Sequence, residues 1–213
     1  MTRVTLIDYG IGNLLNVARA FEHVGATVEV VDSAPGIASA GHLVLPGVGA
    51  FADGMAELKA RGMVEAIRQH AERGRPFLGI CLGMQLMLDS SEEFGQHAGL
   101  GLVPGRVVAI PRVGANGQPH KIPHIGWNEL VVASGHVGWQ GTVLSGLRPG
   151  AAVYFVHSYM VVPDDPGQRL ANCNYDGVAI CATLSADNLH GCQFHPEKSG
   201  EAGLTVLRSF CGV

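Results

Sequence analysis

Residues 76–85 read Pro76-Phe-Leu-Gly-Ile-Cys81-Leu-Gly-Met-Gln85. The first half is short, wholly apolar and opened by proline, the mark of a strand buried on both faces of a parallel sheet; the second half runs into a helical pattern. Cys81 stands at the junction, between Gly79 and Gly83. Gly-x-Cys-x-Gly is the thiol form of the nucleophile elbow: a strained strand-to-helix turn lifts the nucleophile into the open, and the glycines let backbone approach where a Cβ would not fit. Unpaired N–H groups at a helix start also favour thiolate over thiol. Such a strand belongs to an α/β fold.

Outward from this stretch the pattern is consistent. Upstream, residues 4–8, 27–31 and 42–45 predict strands, while 14–24, 51–61 and 64–73 predict helices, the first ending at Gly25. That is a βαβα order with right-handed crossovers. Downstream, extended runs at 101–110, 153–162, 170–174, 178–184 and 191–194 predict antiparallel additions and the last strands, and 201–210 a closing helix. The expected architecture is α/β, with a central, mostly parallel sheet flanked by helices and extended by antiparallel strands. No repeat or linker divides residues 1–213, which predicts a single domain.

Composition excludes several classes. With 213 residues, 47% of them hydrophobic, the chain can bury a full core without staples. A formal net charge of -4 and scattered Lys and Arg leave no footprint for nucleic acid. Cysteines 81, 173, 181, 192 and 211 form no CxxC pair and are odd in number, so neither a disulfide framework nor a zinc site is expected, and a reducing cytoplasmic compartment fits. Cys173, Cys181, Cys192 and Cys211 read as buried structural thiols. No apolar run approaches the roughly 18 residues of a membrane span, and the start MTRVTLIDYG has no leader-like core. A membrane association is not expected.

A nucleophilic thiol needs a base and something to orient it. Gly191-Cys-Gln-Phe-His195-Pro-Glu197 offers both. Pro196 is expected to hold its neighbours extended, so that His195 and Glu197, two apart, share a face and the carboxylate aims the imidazole at Cys81. Leu45-Pro-Gly-Val-Gly-Ala-Phe51, after the third strand, can turn the Val48 N–H toward a developing oxyanion, with the Leu82 N–H as second donor. Gly10-x-Gly12 lacks the rest of a dinucleotide fingerprint and is not read as a phosphate loop.

These segments together resemble the class I (triad) glutamine amidotransferases, whose flavodoxin-like domain shares the Pro-Gly turn, the Gly-x-Cys-x-Gly-x-Gln elbow and the terminal His-Pro-Glu. Asp8-Tyr-Gly-Ile-Gly-Asn13, Lys121-Ile-Pro-His-Ile-Gly-Trp-Asn128, Tyr154-Phe-Val-His-Ser-Tyr159 and Gln193-Phe-His-Pro-Glu-Lys-Ser199 narrow the likeness to the glutaminase subunits of imidazole glycerol phosphate synthases. The resemblance spans nearly the whole chain. It implies Cys81 as nucleophile, His195 as acid and base, and Glu197 as its orienter. It further implies glutamine contacts from Gly49, Gln85, Ser158 and Tyr159, and an interface and ammonia passage near Asn13, Trp127, Asn128, Tyr154 and Lys198. The implied partner is a (β/α)₈-barrel cyclase subunit of histidine biosynthesis, to which the ammonia is channelled; no metal or organic cofactor is implied.

Other readings remain: the glutaminase of another acceptor enzyme, an inactive docking module on the same fold, or a cysteine peptidase or γ-glutamyl hydrolase. Turnover of free glutamine separates the last two from the first. Two departures from the family pattern stand out, Tyr175-Asp176-Gly177 in place of Tyr-Gly, and a Gly-containing extra loop at 113–120.

Overall fold

The computed structural model describes residues 1–212. Strands β1 (Arg3–Ile7), β2 (Thr27–Val31), β3 (His42–Gly47) and β4 (Phe77–Cys81) alternate with helices α1 (Leu14–His23), α2 (Ala34–Ser39), α3 (Phe51–Ala60), α4 (Val64–Glu72) and α5 (Leu82–Leu86). There follow β5 (Leu88–Ser91), β6 (His97–Ala98), β7 (Val103–Ala109), β8 (His124–Val132), β9 (Ala152–His157), β10 (Tyr159–Pro163), β11 (Arg169–Tyr175), β12 (Val178–Ala186), β13 (Leu189–Cys192) and α6 (Gly200–Phe210).

Nine strands form one sheet in the order β2-β1-β3-β4-β13-β12-β11-β8-β9. From β2 to β13 every pairing is parallel, in the doubly wound 2-1-3-4-5 order. From β13 to β9 every pairing is antiparallel, so the antiparallel addition is as wide as the parallel part. A second, four-stranded sheet, β10-β7-β5-β6, stands apart.

Alternation along the central strands divides the interior. Val44, Leu78 and Ile80 face α1 and α6, whose Phe21 and Phe210 meet edge to face at 6.2 Å; Leu43, Leu45 and Phe77 face a second cluster with Ile37, Met55, Leu58 and Ile67 from α2, α3 and α4. Strands buried on both faces explain why residues 76–80 show no polar alternation. Helix α1 starts where the Asn13 side chain accepts from the Asn16 N–H, and is followed by Gly25 at φ +90°.

Three expectations need correction. The single run expected at 153–162 is two strands: β9 pairs with β8 in the large sheet, the Ser158 carbonyl accepts from the Ile110 N–H, and β10 crosses to β7 in the small one. The strand expected at 191–194 lies two residues earlier, as β13. Residues 124–128, read only as part of a motif, form with 129–132 the strand β8 that joins β9 to the sheet. Its Ile125, Trp127 and Val131 are exposed, so the apolar residues do not mark one buried face.

The two departures from the family pattern meet each other. Tyr175 pairs with Val178 across Asp176 and Gly177, both at positive φ (+48° and +83°), a two-residue hairpin turn that suits the Asp-Gly sequence. The 113–120 loop closes on itself through a Val113–Pro119 bridge and docks on that turn, with the Ala115 N–H donating to the Asp176 carbonyl at 3.0 Å and His120 stacked on Tyr175 at 4.9 Å.

Candidate active site

Strand order brings the three predicted segments together. In the parallel register Gly47 lies opposite Cys81 on one side, and Cys192 lies opposite Ile80 on the other, so the turn after β3 and the His-Pro-Glu segment after β13 flank the end of β4. This is the carboxyl edge of the sheet, where ligands bind in open α/β folds.

Cys81 has φ +53° and ψ -108°, a strained conformation for a residue with a Cβ and the expected geometry of a nucleophile elbow. The flanking glycines are sterically required. A Cβ on Gly79 would come within 2.7 Å of the Gly83 carbonyl, and one on Gly83 would strike the Leu45 carbonyl oxygen. Helix α5 is only five residues long, so the sulfur gains from the first N–H groups rather than from a long helix dipole.

His195 and Glu197 meet differently from the sequence expectation. Pro196–Lys198 form a 3₁₀ turn, and that turn, not an extended segment, brings the Glu197 Oε1 to 2.8 Å from His195 Nδ1. Both side chains are almost fully buried. Ser199 fastens the turn to β9, donating to the His195 carbonyl at 2.7 Å and accepting from the Tyr154 N–H at 2.9 Å. His195 Nε2 is buried without a hydrogen bond of good geometry, though the Cys81 sulfur is near enough to raise its proton affinity. Burial pulls the His195 pKa down, but Cys81 and the Glu197 carboxylate outweigh it and carry it up to about 9.

A cavity of about 340 Å³ opens over the sulfur. It is lined by Val48, Gly49, Cys81, Leu82, Gln85, Ser158, Tyr159 and His195 among the residues singled out from the sequence. It is also lined by Glu93 and His157, which the sequence reading missed. Glu93 is only 9% exposed, and its Oε2 accepts from the Phe51 N–H at 2.6 Å, capping α3. His157 was hidden inside the long extended run; its Nδ1–H donates to the Tyr159 carbonyl at 2.8 Å. Gln85 spends its amide nitrogen on that same carbonyl (3.1 Å) and on Gln193 Oε1 (3.0 Å).

Glu197 does not reach this cavity. It lines a second, small one of about 20 Å³, with His195, Gly47, Val48, Asn13 and Lys198. Trp127 and Tyr154 lie edge to face at 6.1 Å on adjacent strands, Trp127 being 58% exposed. Asn128 is turned along the sheet, donating to the Asn174 carbonyl at 3.0 Å. Burial pushes the Cys173 and Cys181 thiols up to about 12 and raises Cys192 and Cys211 as well. Among the described residues, no three His, Cys, Asp or Glu side chains gather as a metal site, and no helix is long and apolar enough to cross a membrane.

Comparison with known proteins identifies the family. A family model for class-I glutamine amidotransferases matches residues 5–211. An imidazole glycerol phosphate synthase subunit HisH 1 from Legionella pneumophila (strain Lens) is 55% identical over 213 residues, covering 100% of both chains. A HisH subunit from Syntrophotalea carbinolica is 48% identical over 97% of this chain and 98% of its own. Among solved structures, PurLQS from Thermotoga maritima superposes with a TM-score of 0.72 at 19% identity, over 100% of this chain and 99% of that one. A crystal structure of a glutamine amidotransferase gives 0.69 at 16%, over 98% and 99%. At such identities these two speak for the fold alone.

Proposed function

The chain belongs to the class-I glutamine amidotransferases, in the group of the imidazole glycerol phosphate synthase HisH subunits, and on that premise we propose that Cys81, His195 and Glu197 hydrolyse the side-chain amide of glutamine. The observation that carries the reading is the His195 Nδ1–Glu197 Oε1 contact of 2.8 Å, which leaves Nε2 facing the same cavity as the Cys81 sulfur.

The thiolate attacks the side-chain carbonyl carbon of glutamine, forming a C–S bond while the carbonyl electrons move to oxygen. The Val48 and Leu82 N–H groups hold that oxyanion. The His195 imidazolium, kept protonated at neutral pH by its raised proton affinity, gives its proton to the amide nitrogen as the C–N bond breaks and ammonia leaves. Neutral His195 then takes a proton from water, whose oxygen attacks the thioester; the C–S bond breaks, its electrons return to sulfur, and glutamate departs. Glu197 keeps the imidazole oriented and stabilises its charge.

The cavity wall suits an amino acid. The buried Glu93 carboxylate is a counter-charge for the α-ammonium. With its nitrogen committed, Gln85 offers its carbonyl oxygen, while Gly49, Ser158 and Tyr159 complete the hold on glutamine.

Ammonia released into neutral water is protonated and lost as a nucleophile, so we infer delivery to a docked (β/α)₈-barrel cyclase subunit of histidine biosynthesis, yielding imidazole glycerol phosphate and an aminoimidazole carboxamide ribotide. The small cavity lined by His195 and Glu197 supports an exit on the Asn13 and Lys198 side. At about 20 Å³ it is large enough for one water-sized molecule, for which roughly 10–15 Å³ suffices. Trp127, Asn128 and Tyr154 would belong to the docking face. The Gly47-Val48 peptide is the element through which the docked partner would control the oxyanion donor, since glycine permits a peptide flip.

The test is glutamate release by wild type and Cys81→Ala, alone and with the cyclase subunit and its ribonucleotide ligand. Turnover that rises strongly with the partner and disappears in Cys81→Ala is the expected result. Full activity of the isolated chain would overturn the coupling, and turnover by Cys81→Ala would overturn the triad.

A further inference from the structure

Gln193, two residues before His195, is fully buried and does not line the substrate cavity. Its backbone is pinned to β12, the N–H donating to the Ala182 carbonyl at 2.9 Å. Its side chain bridges two others: Oε1 accepts from Gln85 Nε2 at 3.0 Å, and Nε2 lies 3.7 Å from the Cys81 sulfur as an N–H···S donor.

Which end of this carboxamide faces the sulfur is decided by a chain of partners. The Tyr159 carbonyl can only accept, and it takes hydrogen bonds from both His157 Nδ1 and Gln85 Nε2. Gln85 must therefore turn its NH₂ group inward, and its second hydrogen goes to Gln193. Gln193 must then present oxygen to Gln85 and nitrogen to Cys81. A reversed Gln193 would set two NH₂ groups against each other and aim a carbonyl oxygen at the sulfur.

We propose that Gln193 is a fourth functional side chain of the centre, whose carboxamide N–H stabilises the Cys81 thiolate from the side away from the substrate, held donor-first by Gln85. This rests on Cys81 being the nucleophile. Hydrogen bonds to a charged group are worth more than those to a neutral one, so the donor favours thiolate over thiol. It acts twice: it lowers the cost of forming the nucleophile, and it receives the sulfur again as the thioester C–S bond breaks and the electron pair returns to it. It also restrains the sulfur to one rotamer, beside the His195 imidazole. Gln85 thereby couples the wall that contacts glutamine to the charge state of the nucleophile.

The pH dependence of Cys81 alkylation by iodoacetamide measures this without glutamine or any partner. In Gln193→Met, similar in size and without a donor, the midpoint should move up by about one pH unit, a roughly tenfold slower reaction at neutral pH, with the plateau rate at high pH unchanged. Gln193→Glu, isosteric but placing an acceptor beside the sulfur, should move it further and serves if the Met variant does not fold. A side chain that only filled space would lower the melting temperature and leave the midpoint where it was, and that result overturns the proposal while sparing the triad. Wild-type Cys81 reacting no faster than the buried thiols of a Cys81→Ser control would overturn both.

Discussion

Gly47 and Cys81 are direct partners in the parallel register of β3 and β4, so the donor turn and the nucleophile share one rung of the sheet. The rung has no spare room. A Cβ on Gly47 would strike the Tyr9 hydroxyl and come within 3.0 Å of the Leu82 Cβ.

Gly47→Ala should therefore displace the turn and cut glutamine turnover by at least about a hundredfold, the scale of losing one oxyanion donor. Tyr9 sharpens the test. Its hydroxyl is buried without a partner, and burial first, then the Cys81 charge, raises its pKa far above the usual phenol range, so it is a neutral, unsatisfied group. Tyr9→Phe alone should be neutral or stabilising by up to about 1 kcal/mol in urea unfolding. Combined with Gly47→Ala it should recover part of the lost activity, because one of the two clashes is gone. Equal activities of the single Gly47→Ala and the double variant would show that Leu82, not Tyr9, sets the limit.

Glu197→Gln removes a charge while keeping the shape. Without the carboxylate the His195 imidazolium is less favoured, so the alkaline limb of kcat, expected near pH 9 for the wild type, should move toward neutrality, and kcat should fall by about 10²–10⁴. Stability should follow the same sign. His195 holds its proton in the fold up to about 9 but releases it near 6.5 when unfolded, so its contribution is full below about 6.5 and is lost as pH rises through 9. The melting-temperature gap between wild type and Glu197→Gln should accordingly shrink between pH 6 and pH 9.5, values chosen to bracket that window. A gap that widened with pH would mean that the carboxylate acts on another group.

How much of this was legible in the sequence depends on what kind of contact each residue makes. Local sterics could be read directly: Gly79-Ile-Cys81-Leu-Gly83 announces the elbow because only glycine fits where Gly83 meets the Leu45 carbonyl. The parallel half of the sheet was legible for a similar reason, since strands buried on both faces are apolar throughout. The antiparallel half was not. β8 exposes Ile125 and Trp127, and the 153–162 run changes sheets at Ser158, a choice made by distant partners rather than by its own alternation. Glu93 and Gln193 were missed because each is polar and each is buried by a tertiary contact, with Phe51 and Cys81 respectively, that lies 42 and 112 residues away along the chain.

Acid should weaken the fold through three histidines. Burial holds His124, His157 and His190 down at about 4, so all three are neutral at pH 7. Their unfolded counterparts protonate near about 6.5, so the stabilisation is complete above that pH and is lost as pH falls toward 4. The urea midpoint should fall steadily from neutral pH to pH 4.5, and less steeply in His190→Phe, which removes one titration beside Phe210 and away from the sulfur. Activity should fail before the fold does. His157 donates through Nδ1 to the Tyr159 carbonyl and accepts at Nε2 from His124 Nδ1 at 3.1 Å; a proton on that Nε2 would set two N–H groups against each other in the cavity wall. Glutamine turnover and urea midpoint falling together, at the same pH, would argue that the pair stabilises the fold without shaping the site.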